Sequence, residues 1–251
     1  MFYSKQLIKY PKIKHCFFSN KNGVSKNIYK SLNCGIGSQD KRKNVIKNLQ
    51  IISKKVGCKY KNLITMNQTH SNNVKFISRN SLNKNKISCD AILTNKKEIC
   101  ISVLTADCVP ILIYDPVNNI IAAIHAGWKG AYKGIIQNTI KKLIKNGSKK
   151  KNLIVAIGPS ISQKNYEVSL SFYKKFIKKN KINKIFFKIR KSIFFNLRKY
   201  VEYQFKSSQV KNISHINLDT FDQKNNFFSR RRSLFNNQKD YGRNISIIMI
   251  K

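Results

Sequence analysis

Acidic side chains are scarce: 10 Asp and Glu stand against 50 Lys and Arg in 251 residues, a formal net charge of +40. Such a balance ordinarily points to nucleic acid or an anionic membrane surface. Here the excess is mostly lysine and accompanies abundant asparagine and isoleucine, residues that share A- and T-rich codons. The lysines are spread over the whole chain with no separate basic tail, so they read as a solvated basic surface that would still attract phosphorylated or nucleotide-like substrates. No zinc-finger spacing or other nucleic-acid motif is present, and nucleic acid is not expected as a partner. No apolar run reaches the roughly 18 residues needed to span a bilayer. Residues 1–10 lack the apolar core and small-residue cleavage site of a signal peptide, so a cytoplasmic protein with no membrane partner is expected. The six cysteines, Cys16, Cys34, Cys58, Cys89, Cys100 and Cys108, show no close pairing, which argues against a disulfide framework and for small buried hydrophobes. No internal repeat is visible. With 41% hydrophobic residues, the chain can bury a substantial core as a single domain over 1–251, expected to be a monomer.

What is present is concentrated in two segments, Thr105-Ala106-Asp107-Cys108-Val109-Pro110 and His125-Ala126-Gly127-Trp128-Lys129-Gly130. They follow two apolar runs, 99–104 and 120–124, which read as adjacent buried strands. A strand pinned by core packing holds the residue beyond its end on a rigid support, and Cys108 and His125 take such positions. Gly127 and Gly130 permit close backbone approach, and the apolar spacing from Trp128 through Tyr132, Ile135, Ile136, Ile140 and Leu143 predicts a helix. A third candidate, His70, follows the short apolar piece 63–66. Two histidines and one cysteine suit zinc with an open fourth position. The spacing alone leaves three readings open: a shared metal site, a Cys/His nucleophile pair, or unrelated buried residues.

The remaining pattern predicts a mixed α/β sandwich. Val45, Leu49, Ile52 and Val56 form a helical stripe closed by Gly57, and further stripes fall at Val168, Phe172, Phe176 and at Ile193, Leu197, Val201, Phe205. Strand-like runs fall at 73–78, 91–94, 99–104, 111–114, 120–124, 153–157, 213–218 and 245–250. The Lys-rich segments 141–151 and 178–191 read as solvated faces or loops.

The blocks Gln68-Thr69-His70, Cys89-Asp90-Ala91, 105–110 and 125–130 resemble the laccase-domain family, the YfiH-like proteins also called polyphenol oxidoreductases. The resemblance covers nearly the whole chain. Upstream it takes in His15-Cys16-Phe17-Phe18-Ser19, Gly23-Val24-Ser25 and Ser31-Leu32-Asn33; downstream, Ile157-Gly158-Pro159, Tyr166-Glu167-Val168, Phe227-Phe228-Ser229 with Arg231-Arg232, and Gly242-Arg243. The chain departs from the family pattern at Asn20, where an arginine is common, at Asp219 before Thr220, where a cysteine is expected, at Arg230, where an aromatic is expected, and at Ser71, often a glycine.

The resemblance implies a YfiH-like fold in which His70, Cys108 and His125 form one metal site, usually assigned to zinc, with copper also reported. It further implies purine nucleoside chemistry: adenosine deamination, and phosphorolysis of adenosine, inosine, guanosine and S-methyl-5'-thioadenosine, with purine nucleosides and phosphate as partners. A full multicopper cluster does not fit a chain with four histidines. Among neighbouring residues, Asp107 either orients a metal-bound water and moves protons or bonds turn amides structurally. Trp128 either stacks on a purine or belongs to the core. Lys129, Arg231 with its neighbours Arg230 and Arg232, and Arg243 are candidate phosphate or substrate contacts. Two other readings compete: a cysteine hydrolase with Cys108 as nucleophile and His125 as base, acting in peptidoglycan precursor editing, and a basic nucleic-acid-binding protein with a structural metal.

Overall fold

Alternating side chains in the long strands serve two different cores, and this alternation stacks the sheets. The computed structural model describes residues 1–77 and 87–251. Its strands are β1 (Ile13–Phe17), β2 (Leu63–Ile64), β3 (Met66–Asn67), β4 (Val74–Phe76), β5 (Ile87–Ser88), β6 (Ala91–Thr94), β7 (Cys100–Thr105), β8 (Val109–Asp115), β9 (Ile120–Ala126), β10 (Ile154–Ile157), β11 (Glu167–Val168), β12 (Phe187–Ile189), β13 (Ile193–Phe195), β14 (Asn212–His215) and β15 (Asn244–Ile250). The helices are α1 (Arg42–Val56), α2 (Trp128–Lys133), α3 (Ile135–Lys145), α4 (Leu170–Lys179), α5 (Leu197–Ser207) and α6 (Arg230–Phe235).

Two mixed sheets dominate, ordered β1-β15-β7-β2 and β14-β10-β8-β9-β6-β4. In β8, Leu112 and Tyr114 face the core between these sheets, while Val109, Ile111 and Ile113 face the helices behind. In β9, Ile121 and Ala123 point to the first core, and Ile120, Ala122 and Ile124 to the second. On the far side, Ile245, Ile247 and Met249 of β15 pack under α1. The layers therefore run helix, sheet, sheet, helices, the mixed-sheet α/β sandwich expected from the sequence. Helix α1 buries the expected stripe Val45, Leu49, Ile52 and Val56 and ends at Gly57, whose φ of 74° forms a left-handed cap.

Several expectations need correction. The runs 99–104 and 120–124 are not neighbours in one sheet: β7 belongs to the four-stranded sheet and β9 to the six-stranded one, and they face each other across the inter-sheet core. Periodicity identifies a buried strand without naming its partner. Cys108 does not cap the first run but lies in the short turn after β7, immediately before β8, and His125 lies within β9 and not beyond its end, because the strand pairs with β8 as far as Ala126. The helix starting at Trp128 is interrupted at Gly134, whose φ of 92° separates α2 from α3. The stripes beginning at Val168 and Ile193 start too early, because these two residues pair across strands β11 and β13. Segment 178–191 is not merely solvated: it includes β12, and Phe186 is fully buried. The strand expected over 73–78 is β4, and its last residue lies outside the described residues. The six cysteines are free thiols. Among the described residues, no helix is long and apolar enough to cross a membrane.

Candidate metal centre

Three chain segments meet where β7 and β9 end and β8 begins. The first is fixed by Gln68, whose Nε2 donates to the Leu104 carbonyl at 2.7 Å while the Leu104 N–H donates to Oε1 at 2.8 Å. This amide pairing ties the segment to β7 as a ladder rung would. His70 follows in the left-handed region at φ 57°, a conformation held by its neighbours' hydrogen bonds. Asp90, fully buried, accepts backbone N–H groups from Thr69 (3.3 Å), His70 (3.1 Å) and Ser71 (2.6 Å), and the Ser71 hydroxyl donates to it at 2.7 Å. The serine that replaces the family's glycine thus adds a bond to this carboxylate.

Asp90 also holds the second imidazole. His125 lies on β9 with the parity of Ile121 and Ala123, so its ring points between the sheets, and its Nδ1 donates to Asp90 Oδ1 at 2.7 Å. That bond leaves Nε2 for the site, the arrangement that orients metal-binding histidines. Burial alone would raise the Asp90 carboxyl, but the bonds from His125 and Ser71 hold it down at about 2.

Cys108 completes the cluster. Its Sγ lies 3.8 Å from His70 Nε2, and the ligand atoms of His70, Cys108 and His125 all fall within 4.8 Å of one another. Zinc bonds of ordinary length at a tetrahedral angle separate sulfur and nitrogen by about 3.6 Å, so the His70–Cys108 pair is already near the spacing such an ion needs, and the widest separation in the cluster would close by about 1 Å on binding. Gly127 makes room: a Cβ there would stand 2.7 Å from His70 Cδ2 and 3.0 Å from Cys108 Sγ. Burial would push the Cys108 thiol up, yet the adjoining His125 and His70 bring it down to about 6, and the same pairing with Cys108 and Asp90 lifts His125 to about 9. The pair therefore favours thiolate and imidazolium; a thiolate is the form a metal binds, and a metal here would displace the His125 Nε2 proton.

Two cavities share this cluster. The larger, about 520 Å³, is lined by His70, Cys108, Asp107 and Lys129, by the aromatic residues Trp128, Tyr166 and Phe172, and by Arg230 and Arg231. The smaller, about 280 Å³, contains His70, Cys108 and His125 with Gly35, Gly37, Gln68, Thr105, Arg230 and Arg243. The structure thus brings Trp128, Lys129 and Arg231 to the larger cavity and Arg243 to the smaller. Trp128 meets Phe172 edge-on at 4.9 Å and packs against the core behind the six-stranded sheet. Arg231 donates from Nη1 to the Glu167 carbonyl at 2.9 Å and lies over the Tyr166 ring at 5.3 Å. Arg232 turns away, bonding the carbonyls of Thr220, Phe221 and Phe227. Both carboxylate oxygens of Asp107 are engaged at 2.7 Å, one by the Thr220 hydroxyl and the other by the Arg231 N–H.

Among the departures from the family pattern, Asp219 gains a structural account. It accepts from the Ser162 N–H (3.0 Å) and hydroxyl (2.5 Å), Asn165 Nδ2 (2.7 Å) and the Phe221 N–H (3.0 Å), so it stitches two loops together. Arg230 lines both cavities, whereas Asn20 bonds Asn226 and Lys30 and lines neither. Sequence reasoning assigned no role to Asp90, Tyr166 or Phe172. Asp90 stood within a recognised block, and a carboxylate before a buried strand was the signal that could have marked it.

A mixed α/β sandwich carrying a His–Cys–His cluster fit for a metal ion defines the class of this protein. The model of the multi-copper polyphenol oxidoreductase laccase family matches residues 14–251, and the chain belongs to that family. A purine nucleoside phosphorylase of Rickettsia conorii is 36% identical over 219 residues, covering 84% of this chain and 89% of the relative. One from Haemophilus influenzae is 31% identical over 228 residues, covering 88% and 90%. Among solved structures, the YfiH protein of Bacillus licheniformis superposes with a TM-score of 0.88 at 24% identity, covering 95% of this chain and 93% of that one. YlmD from Geobacillus stearothermophilus does so at 0.87 and 20% identity, covering 96% and 93%. These two likenesses establish the fold.

Proposed function

We propose that residues 1–251 act as one catalytic domain, a zinc-dependent purine nucleoside phosphorylase working as a cytoplasmic monomer. Its substrates are adenosine, inosine, guanosine and S-methyl-5'-thioadenosine, with adenosine deamination as a second activity. The observation that carries this reading is the convergence of His70, Cys108 and His125 beside an aromatic cavity, in a chain whose relatives are named purine nucleoside phosphorylases. The three residues would hold zinc, or copper in its place, and the ion would supply Lewis acidity toward a substrate oxygen.

The chain's own residues do the rest. Asp90 orients His125 and holds the backbone on either side of His70, so the donor atoms are set before ligand arrives. Trp128 offers a purine a stacking face, and Lys129, Arg231 and Arg243 attract phosphate or ribose oxygens. In the larger cavity Asp107 is the carboxyl beside Cys108 to which we assign proton transfer. The test is product analysis by mass spectrometry after incubating zinc-loaded protein with adenosine, with and without phosphate, alongside Cys108→Ala. Adenine with ribose 1-phosphate, or inosine, formed only by the intact protein supports the reading. Undiminished turnover by Cys108→Ala overturns it.

One observation favours a second reading. Cys108, His125 and Asp90 stand in the order nucleophile, base and orienting carboxylate, which would serve a cysteine hydrolase acting on a peptidoglycan precursor amide. Its mark is alkylation of Cys108 in metal-free protein that abolishes an amide hydrolysis resistant to chelation.

A further inference from the structure

The two cavities differ in size and wall chemistry, and they share His70, Ala106, Cys108 and Arg230. The larger is walled by three aromatic rings and contains two carboxylates, Asp107 and Glu167, against three cationic side chains. Its volume of about 520 Å³ suits a ligand of nucleoside size. The smaller, about 280 Å³, is below the usual range for such ligands and has two arginines and no carboxylate among its described lining residues. The three rings of the larger cavity suit a stacked base, and the arginines of the smaller suit a small anion, with Asp240 offsetting part of the Arg243 charge.

Arg243 is built into the smaller cavity rather than draped over it. Its guanidinium lies 4.1 Å from the Tyr241 ring centre, and Nη1 is taken by Asp240 at 3.0 Å and by the Tyr241 carbonyl. Among the described residues, no acceptor engages Nε or Nη2, so two nitrogens of the fork, with three N–H donors between them, are left for a ligand. Gly35 lets the side chain lie flat: a Cβ there would stand 2.5 Å from Arg243 Cδ.

We propose that the cavity between Gly35, Gly37 and Arg243 is the inorganic phosphate subsite, with nucleoside entering from the larger, aromatic cavity. This rests on the phosphorylase reading above. In phosphorolysis the C1′–N bond breaks with its electron pair leaving on the purine, while a phosphate oxygen forms the new bond to C1′. The proton of hydrogenphosphate ends on the purine nitrogen. An in-line displacement requires nucleophile and leaving group on opposite faces of the ribose, so phosphate and purine must occupy separate subsites.

The experiment measures binding of inorganic phosphate to the metal-loaded protein by titration calorimetry, together with the KM for each substrate. The variants are Arg243→Gln, Arg243→Lys, Gly35→Ala and Trp128→Ala, each checked by thermal melting. Arg243→Gln and Gly35→Ala are expected to weaken phosphate about ten-fold or more while moving nucleoside KM little, with partial recovery in Arg243→Lys. Trp128→Ala is expected to do the reverse. Phosphate binding lost in Arg243→Gln from a protein without phosphorolysis would sink the phosphorylase reading and support the subsite. Phosphate bound equally by wild type and Arg243→Gln, or not bound by wild type, overturns the subsite even if phosphorolysis proceeds.

Discussion

Asp90 is the residue on which both imidazoles depend. Replacing it by alanine leaves the His125 Nδ1–H and the N–H groups of His70 and Ser71 without their acceptor at a buried site. Loss of the partner that orients a metal-binding histidine typically lowers metal affinity about 10–100-fold. Asp90→Ala is therefore expected to lose zinc at chelator concentrations the wild type resists, as read by competition with a chromogenic chelator. Asp219 makes a prediction of a different kind. Burial would raise its carboxyl, but bonds from Ser162, Phe221 and Asn165 hold it below the ordinary value of 3.8. A depressed folded-state value contributes stability that is present above 3.8 and is lost as pH falls toward the folded value. Asp219→Asn removes that contribution, so melting temperatures taken from pH 6 downward should fall less steeply than in wild type. At this scale sequence reading located the cluster residues and most of the charged groups around them. It passed over Asp90, because a carboxylate's value to a site lies in which donors the fold delivers to it, and those donors come from residues 69–71 and 125.

Among the elements, α2 bears most directly on the site because it carries Trp128 and Lys129 into the larger cavity. It ends at Gly134 with φ 92°, where the next helix sets off. A side chain at this φ is strained by about 1–2 kcal/mol, so Gly134→Ala should lower unfolding stability by that order in urea titrations. The interruption was hidden in the sequence because the apolar spacing continues through it, from Tyr132 to Ile135 and Ile136. Periodicity failed in the opposite sense at Val168 and Ile193, which extend helical stripes yet pair with each other across two short strands. Where one period ran undisturbed to a glycine, as in α1 and Gly57, sequence and structure agree.

For the whole molecule, the helix–sheet–sheet–helix order explains why the cluster sits where it does. Residues far apart in the chain meet because β7 and β9 lie in facing sheets and end at the same edge, with the turn into β8 between them. Apolar runs told which strands are buried, but the pairing that makes 99–104 and 120–124 face each other across a core is set by contacts no local pattern contains. A net charge of +40 raises the local concentration of anions around the whole molecule without marking a particular site. On the function proposed here, His70, Cys108 and His125 act together as one metal centre. The measurement that tests it most directly is the metal content of purified protein by plasma mass spectrometry, in wild type and in folded Cys108→Ala. One zinc ion per chain in the wild type and its loss in the variant are the predicted result. Equal metal in both, or none in wild type supplied with zinc, would contradict it.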